Sequence, residues 1–273
     1  MLSVLILVPA VFLCSLGEVS LMVYIIGIGP GDPELLTVKA MRILEKADYV
    51  LYVSGLYIDG VLQYCNPEAK VLLIKNFGIG SQLDFIKEHP DSVIVRLHTG
   101  DLALESGCRD FLDLLAANKI GYKCIPGVSS VAAGLSELAS DTLLPGISNI
   151  FTVVKPFGFP FVPEGHSVKD SAGKGRGVAV FGICPATIQS VVDELYEAGC
   201  FHNTMVCLAS RVSLPRQKIV VLPLCRVADK VCSDKSFWRF TLLYVGSFLG
   251  AKTIYSPDNG RILPADVIVE DLG

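Results

Sequence analysis

The sequence predicts an α/β fold: two α/β domains with mostly parallel or mixed sheets. Three observations predict it. Short runs of Val, Ile, Leu and aromatic residues alternate with stretches of helical period, as in strands joined by crossover helices. Several of these strands run straight into loops of small residues, as happens at the carboxyl edge of an open sheet. The chain has 273 residues, 51% of them hydrophobic, which is enough to fill the cores of one large domain or two ordinary ones.

The elements follow in order. Residues 22–27 form a buried strand that enters the loop Gly27-Ile28-Gly29-Pro30-Gly31-Asp32-Pro33. Residues 37–47 are helical, with Val38, Met41, Ile43, Leu44 and Ala47 on an apolar face. Glu34 stands near the start of this segment, where a carboxylate suits the helix dipole. Strands are expected at 49–53 and 70–74, a short helix at 82–88, and a strand at 92–97 that ends at His98-Thr99-Gly100-Asp101. A helix at 109–118 and a short strand at 123–125 lead to the turn Pro126-Gly127-Val128-Ser129-Ser130 and a further helix. A break follows over 142–163, marked by Pro145, Pro156, Pro160 and Pro163, and a Gly/Lys-rich flexible loop over 171–177. Strands at 178–183, 204–208, 218–222 and 240–245, with a helix at 186–198, make a second α/β section. The expected domains are 22–144 and 145–273, joined near Pro145.

Residues 1–21 are apolar but broken by Pro9, and the first Lys or Arg is Lys39. A spanning helix needs about 20 apolar residues and a signal peptide a positive start. The segment reads as an extension ahead of a start at Met22, with a poorly formed signal as the alternative, and no stable membrane insertion is expected. A net charge of −4 gives no basic field for nucleic acid. Nine cysteines without a CxxC pair and four scattered histidines give no zinc spacing, so no metal is expected. The odd count argues against a disulfide scaffold. Most of the cysteines lie in apolar stretches and read as buried, reduced thiols, which suits a cytoplasmic protein.

Gly29-Pro30-Gly31-Asp32, Thr99-Gly100-Asp101 and Pro126-Gly127-Val128-Ser129-Ser130 are strand-end loops rich in small residues. The first is neither the G-x-G-x-x-G dinucleotide fingerprint nor a Walker A loop. Such loops line a crevice with backbone groups, which suits a neutral or zwitterionic ligand better than a triphosphate. Each taken alone is equally an ordinary tight turn.

These residues carry a resemblance. Gly27-Ile28-Gly29-Pro30-Gly31-Asp32-Pro33-Glu34-Leu35-Leu36-Thr37-Val38-Lys39-Ala40 resembles the opening signature of the tetrapyrrole methylases, the class III S-adenosylmethionine-dependent methyltransferases. Arg96-Leu97-His98-Thr99-Gly100-Asp101 and Pro126-Gly127-Val128-Ser129-Ser130 match that family in order and spacing. Thr142-Leu143-Leu144-Pro145-Gly146-Ile147-Ser148, Val162-Pro163-Glu164-Gly165 and the segment from Pro215 through Gln217, Lys218, Ile219 and Val220 are similar to its precorrin-4 (C-11) methylating branch. The likeness spans about Met22 to Pro257.

The resemblance implies S-adenosylmethionine in a cleft between two domains, a homodimer, and methyl transfer to C-11 of precorrin-4 or cobalt-precorrin-4 in cobalamin biosynthesis. The alternatives are another tetrapyrrole C-methyltransferase, acting on uroporphyrinogen III or another precorrin, or a catalytically weak cofactor-binding homologue. Carried over by position, Pro30 borders the cofactor, and Thr99, Gly100, Asp101 and Leu104 cradle its methionine part with Ser129 and Ser130 beside it. Phe181, Gly182, Val212, Thr241 and Leu242 form the adenosine side, although Gly182, Val212 and Leu242 read equally well as core. Lys155, Arg211 and Arg216 are candidate anchors for substrate carboxylates. No catalytic base is identified; Asp101 is a weak candidate, and capping its own loop is its more ordinary role. The chain departs from the family in having Leu102 for a proline, Glu105 for an aromatic residue, and Lys155 and Phe159 where arginines are usual.

Overall fold

The computed structural model describes residues 21–53, 58–75, 77–104, 107–156, 165–250 and 267–270. The expectations for residues 1–20, Glu105, Phe159 and 162–164 lie outside the described residues. The chain divides into two compact units. One runs to Ile28 and resumes over Leu36–Gly127, and the other takes Gly29–Leu35 and the chain from Val128 onward. The expected junction at Pro145 thus lies inside the second unit, because the helix that begins at Ser130 contributes Val131 and Ala133 to the core of that unit.

The first unit contains β1 (Met22–Gly27), α1 (Val38–Leu44), β2 (Tyr49–Tyr52), α2 (Asp59–Leu62), β3 (Lys70–Leu73), α3 (Ile79–Glu88), β4 (Ile94–His98), α4 (Arg109–Ala117) and β5 (Gly121–Ile125). Its five strands are all parallel, in the order β3-β2-β4-β1-β5. The two-residue period of a strand sends Ile26, Val50, Val95, Leu97 and Ile125 to one face, where α1 and α2 cover them with Ala40, Leu44 and Val61. Val23, Ile25, Leu51 and Ile94 face the other way, against Leu83 and Ile86 of α3 and Phe111 and Leu115 of α4. Burial on both faces is why these strands read as continuous apolar runs. In α1 the inward face is Ala40, Leu44 and the following Ala47, whereas Val38 is 58% exposed and not part of it. Thr37 caps this helix by accepting the Ala40 N–H.

The connections fix where a ligand can sit. The chain leaves β1 through α1 and leaves β4 through α4, and these helices cover opposite faces. β1 and β4 are neighbours, so their carboxyl ends diverge and form the topological switch point of the sheet.

The second unit contains α5 (Ser130–Glu137), β6 (Ile150–Val154), α6 (Val168–Ser171), β7 (Arg176–Ile183), α7 (Ile188–Glu197), β8 (Met205–Ser210), β9 (Lys218–Pro223), α8 (Val227–Ser233), β10 (Thr241–Val245) and β11 (Ile268–Val269). The strand order is β11-β9-β8-β10-β7-β6, and the sheet is mixed: β10 runs antiparallel to both β7 and β8. Ile188, Val191, Val192 and Leu195 of α7, with Val227 and Val231 of α8, cover one face over Val178, Val180, Leu208 and Leu243. Val131 and Ala133 of α5 belong to the core on the other face, with Ala179, Ala209, Leu242 and Tyr244.

Three expectations are corrected. The proline-marked stretch holds a strand, β6, which pairs in parallel with β7. The supposed flexible loop over 171–177 contains the end of α6 and the start of β7, and α6 carries a capping box in which Ser167 and Asp170 satisfy each other's backbone N–H. Finally, of the eight described cysteines, only Cys108 and Cys207 are buried; Cys124, Cys225 and Cys232 are exposed. No helix among the described residues is long and apolar enough to cross a membrane.

Candidate functional site

In the first unit, β1, β4 and β5 are neighbours, and their carboxyl ends carry Gly27, Thr99-Gly100-Asp101 and Pro126-Gly127. The Ile28 N–H donates to the His98 carbonyl at 2.8 Å, tying the first two ends together. A Cβ added at Gly27 would lie 2.7 Å from Gly127 N and 2.8 Å from Gly100 O. One added at Gly127 would lie 2.4 Å from Gly100 O and 2.6 Å from Gly27 C and O. Three glycines from three strand ends therefore meet backbone to backbone, and any side chain at the junction would separate the loops. Gly100 is buried at φ +69°, while Thr99 and Leu104 are exposed beside it. Asp101 is half-buried, and its Oδ1 accepts the Ala103 N–H at 2.8 Å, the loop-bracing role expected of it. Its second oxygen takes no hydrogen bond among the described residues.

In the second unit, Gly29–Leu35 lies against the turn that follows β8. Gly31, at φ +152°, is so close to Leu214 that a Cβ would fall 2.0 Å from Leu214 Cδ2. The Asp32 N–H donates to Ser213 Oγ at 3.1 Å. The Ser213 N–H donates to Gln217 Oε1 at 2.5 Å, and Gln217 Nε2 donates to Glu137 Oε2 at 2.9 Å, on the last turn of α5. Pro30 stands half-buried in the middle of this braced segment.

The carboxyl ends of β7 and β8 flank the start of β10 at one edge of the second sheet. Thr241 pairs with Ile183 on one side and Ser210 on the other. The β10–β7 register then shifts: Leu243 pairs with Val180, so Phe181 and Gly182 both lie opposite Leu242. This is a β-bulge, with Gly182 at φ +76°. Arg211, Ser213, Arg216 and Phe240, at φ +55°, +62°, +66° and +55°, crowd the loops of the same edge. They are four of the six non-glycine residues in the left-handed region among the described residues. Each costs about 1–3 kcal/mol, a strain that gathers where structure serves a ligand.

The structure thus gathers Thr99, Gly100, Asp101 and Leu104 in one loop of the first unit, and Phe181, Gly182, Arg211, Val212, Thr241 and Leu242 at one edge of the second sheet. Exposed Lys155 directly follows β6, at the same end as Phe181, since Val154 pairs with Val180. Some side chains are committed elsewhere. Val212 and Leu242 are core residues, and Thr241 Oγ1 donates inward to the Phe237 carbonyl at 3.1 Å. Ser129 Oγ caps α5 by accepting the Val131 N–H at 3.1 Å, and Ser130 is the first residue of that helix. Arg216 is exposed on the turn after β8. Sequence reasoning quotes Gly27 and Gly127 only as parts of loops, and it gives no role to Ser213, Leu214 or Gln217. The signal for the glycines is their place at the very ends of adjacent strands, which is legible only once strand order is known. Among the described residues, no group of three or more His, Cys, Asp or Glu is placed to hold a metal ion.

One unit with a parallel sheet and a glycine-closed switch point, and one with a mixed sheet whose edge is bulged and strained, define a two-unit α/β protein. The chain matches the family model of the tetrapyrrole (corrin/porphyrin) methylases over residues 22–228, and it belongs to that family. It is 32% identical to a cobalt-precorrin-4 C(11)-methyltransferase of Methanocaldococcus jannaschii over 84% of this chain and 89% of that protein. It is 28% identical to a precorrin-4 C(11)-methyltransferase of Mycobacterium tuberculosis, over 84% of this chain and 92% of that one. Among solved structures, a cobalt-precorrin-4 methyltransferase superposes with a TM-score of 0.76 at 27% identity, covering 85% of this chain and 97% of that one.

Proposed function

We propose that the protein is an S-adenosylmethionine-dependent C-methyltransferase acting at C-11 of precorrin-4 or cobalt-precorrin-4 in corrin biosynthesis. The observation that carries this reading is the closure of the three strand ends at Gly27, Gly100 and Gly127, which lines the first unit's switch point with backbone rather than side chains. It is supported by the similarity, over most of the chain, to proteins named for that reaction. A zwitterionic cofactor fits the residues present. The Thr99–Asp101 loop offers backbone groups and one uncommitted carboxylate oxygen for an ammonium group, with exposed Leu104 as an apolar wall. In the second unit, Pro30, Ser129, Ser130 and the backbone at Phe181, Gly182, Val212, Thr241 and Leu242 are the residues that the family resemblance assigns to the cofactor. When bound, S-adenosylmethionine supplies an activated methyl on its sulfonium.

The protein's own part is to bind and align. Fixing two reactants in attacking geometry can supply about 7–11 kcal/mol of barrier reduction. Rigid, braced loops are suited to that task. Lys155, Arg211 and Arg216 would anchor the carboxylates of the macrocycle. The test is an assay with precorrin-4 and with cobalt-precorrin-4, read by mass. We expect one to gain a single methyl. Tight cofactor binding with no gain on any precorrin would overturn the enzyme reading, and methylation of uroporphyrinogen III alone would move the substrate.

A cytoplasmic homodimer goes with this reading. Val71 and Leu73 on edge strand β3, with Phe77 and Ile79 entering α3, are large apolar residues left 38–52% exposed. A second copy covering this patch would remove them from water. Light scattering should then give twice the chain mass, and charged residues at Leu73 and Phe77 should give monomers.

A further inference from the structure

Ser213 stands in the left-handed region at φ +62°, a conformation that a residue with a side chain keeps only where its surroundings impose it. The Gln217 side chain holds it there. Gln217 closes the turn after β8 from the position just ahead of β9: its Oε1 accepts the Ser213 N–H, and its own N–H donates to the Leu214 carbonyl at 3.0 Å. Gln217 is itself held from outside the turn, its Nε2 donating to Glu137 Oε2 at the end of α5 at 2.9 Å. The amide can face only one way. A backbone N–H is a donor alone and a carboxylate an acceptor alone, so the carbonyl oxygen must meet Ser213 and the amino group must meet Glu137. The closed turn presents two groups to the Gly29–Leu35 segment. Ser213 Oγ accepts the Asp32 N–H at 3.1 Å, and Leu214 fills the space beside Gly31. Asp32 carries the fixation onward, since its Oδ1 accepts the Glu34 N–H at 2.9 Å and its carbonyl accepts the Leu35 N–H at 3.0 Å.

We propose that Gln217 is the positioning residue of the Pro30 segment, acting through Ser213 with its amide oriented by Glu137, and that it thereby sets the affinity for S-adenosylmethionine. The proposal rests on the reading of Pro30 as bordering the cofactor. Residues 30–32 belong to neither a strand nor a helix. Pro30 has no N–H to bond, so it takes its place from its neighbours. The bond from Asp32 to Ser213 is therefore what locates it, two residues away. Without the Gln217 carbonyl oxygen, Ser213 would be free to leave its strained conformation. That movement would carry its hydroxyl from Asp32 and Leu214 from Gly31. Gln217 thus acts on the cofactor without touching it, and the polarity of the relay is fixed from α5.

The test uses the full chain, with affinity for S-adenosylhomocysteine read by calorimetry and stability by urea unfolding. Gln217→Met keeps the length of the side chain and removes both of its hydrogen bonds. Affinity should fall about tenfold in protein that remains folded, the equivalent of one hydrogen bond. Gln217→Glu should weaken binding as far, because its second oxygen would face the Glu137 carboxylate. Exchanging the pair, Glu137→Gln with Gln217→Glu, lets the amide at 137 donate to the carboxylate at 217, and should recover the affinity to within about twofold of the wild type. Ser213→Ala should match Gln217→Met, and combining the two should weaken binding by no more than about twofold further, because one residue acts through the other. A Gln217 that serves stability alone would lower the urea midpoint and leave the affinity of the folded protein unchanged. That result, full additivity with Ser213→Ala, or no recovery on exchange overturns the proposal. If Gln217→Met does not fold, Gln217→Glu and the exchanged pair decide. Failure of the wild type to bind the probe would overturn the cofactor reading, and hydrogen exchange at the Asp32 amide would then decide the relay. Exchange about tenfold faster in Gln217→Glu than in the wild type upholds the coupling of Gln217 to Asp32, and equal exchange overturns it.

Discussion

Gly127→Ala is expected to destabilise the protein by about 3 kcal/mol or more and to abolish binding of S-adenosylhomocysteine. One methyl group does this because every atom it meets is backbone. The new Cβ would sit 2.4 Å from Gly100 O and 2.6 Å from Gly27 C and O, and neither loop has a side chain that could swing aside. Relief requires β5 to part from β1, or the Gly100 turn to move away from the end of β4. Either movement disturbs the residues assigned to the cofactor. Gly80→Ala is the matched control. Gly80 lies in α3 with open space around its Cβ, and alanine there should stabilise by up to about 1 kcal/mol through helix propensity. Urea denaturation with equal slopes for both variants measures the difference. A Gly127→Ala protein as stable as the wild type, with unchanged affinity for the probe, would show that the strand ends are not closed as described.

Gly134→Ala should cost about 2–3 kcal/mol although it replaces a poor helix former with the best one. Gly134 lies in α5, and its Cβ would come 2.2 Å from the hydroxyl oxygen of Tyr244 and 3.0 Å from Cζ. Tyr244 is fully buried in β10, and its hydroxyl donates to the Val131 carbonyl at 3.0 Å, so the ring cannot withdraw. Tyr244→Phe alone should cost about 1 kcal/mol for the lost hydrogen bond. In the double variant the hydroxyl that causes the worst clash is gone. The two costs should therefore fail to add, with the pair more stable than the sum by about 1–2 kcal/mol. Thermal or urea unfolding of the four proteins closes this cycle, and strict additivity would refute the steric explanation.

Much of the first unit was legible in the sequence because its physics is local. A parallel strand covered on both faces has no polar positions, so residues 22–27 stand out as an apolar run ending in glycine, and β1 has those bounds. The second unit was less legible. Ile150–Val154 has the composition of a strand, but it is half-exposed at the sheet edge and stands among prolines, whose turn signal dominates the window. The two residues of β11 and the single turns of α2 and α6 are too short for any period to show. Hydrophobicity alone puts Val38 on the buried face of α1, whereas Ala40, smaller and spaced four residues from Leu44, is the residue that packs.

The candidate site divides in the same way. The strand-end loops show themselves through glycine, because backbone geometry is written in residue type. The partners of those loops do not. Ser213 and Gln217 matter through hydrogen bonds to Asp32 and Glu137, formed across sequence separations of 181 and 80 residues. Arg96 and His98 sit inside a quoted motif, yet their burial and mutual contact follow from the packing of α3 and α4 over β4.

The assignment of Gly29–Leu35 to the second unit has a consequence for modularity. The chain passes from one unit to the other three times, after Ile28, after Leu35 and after Gly127, rather than once as in beads on a string. A gene fragment ending at Gly127 would encode a piece of the second unit without Leu214 to receive Gly31 or Ser213 to accept from Asp32. The complementary fragment would expose the place those residues fill. Neither unit can be lifted out by a single cut, so a single crossover meant to exchange one whole unit would split the second unit instead.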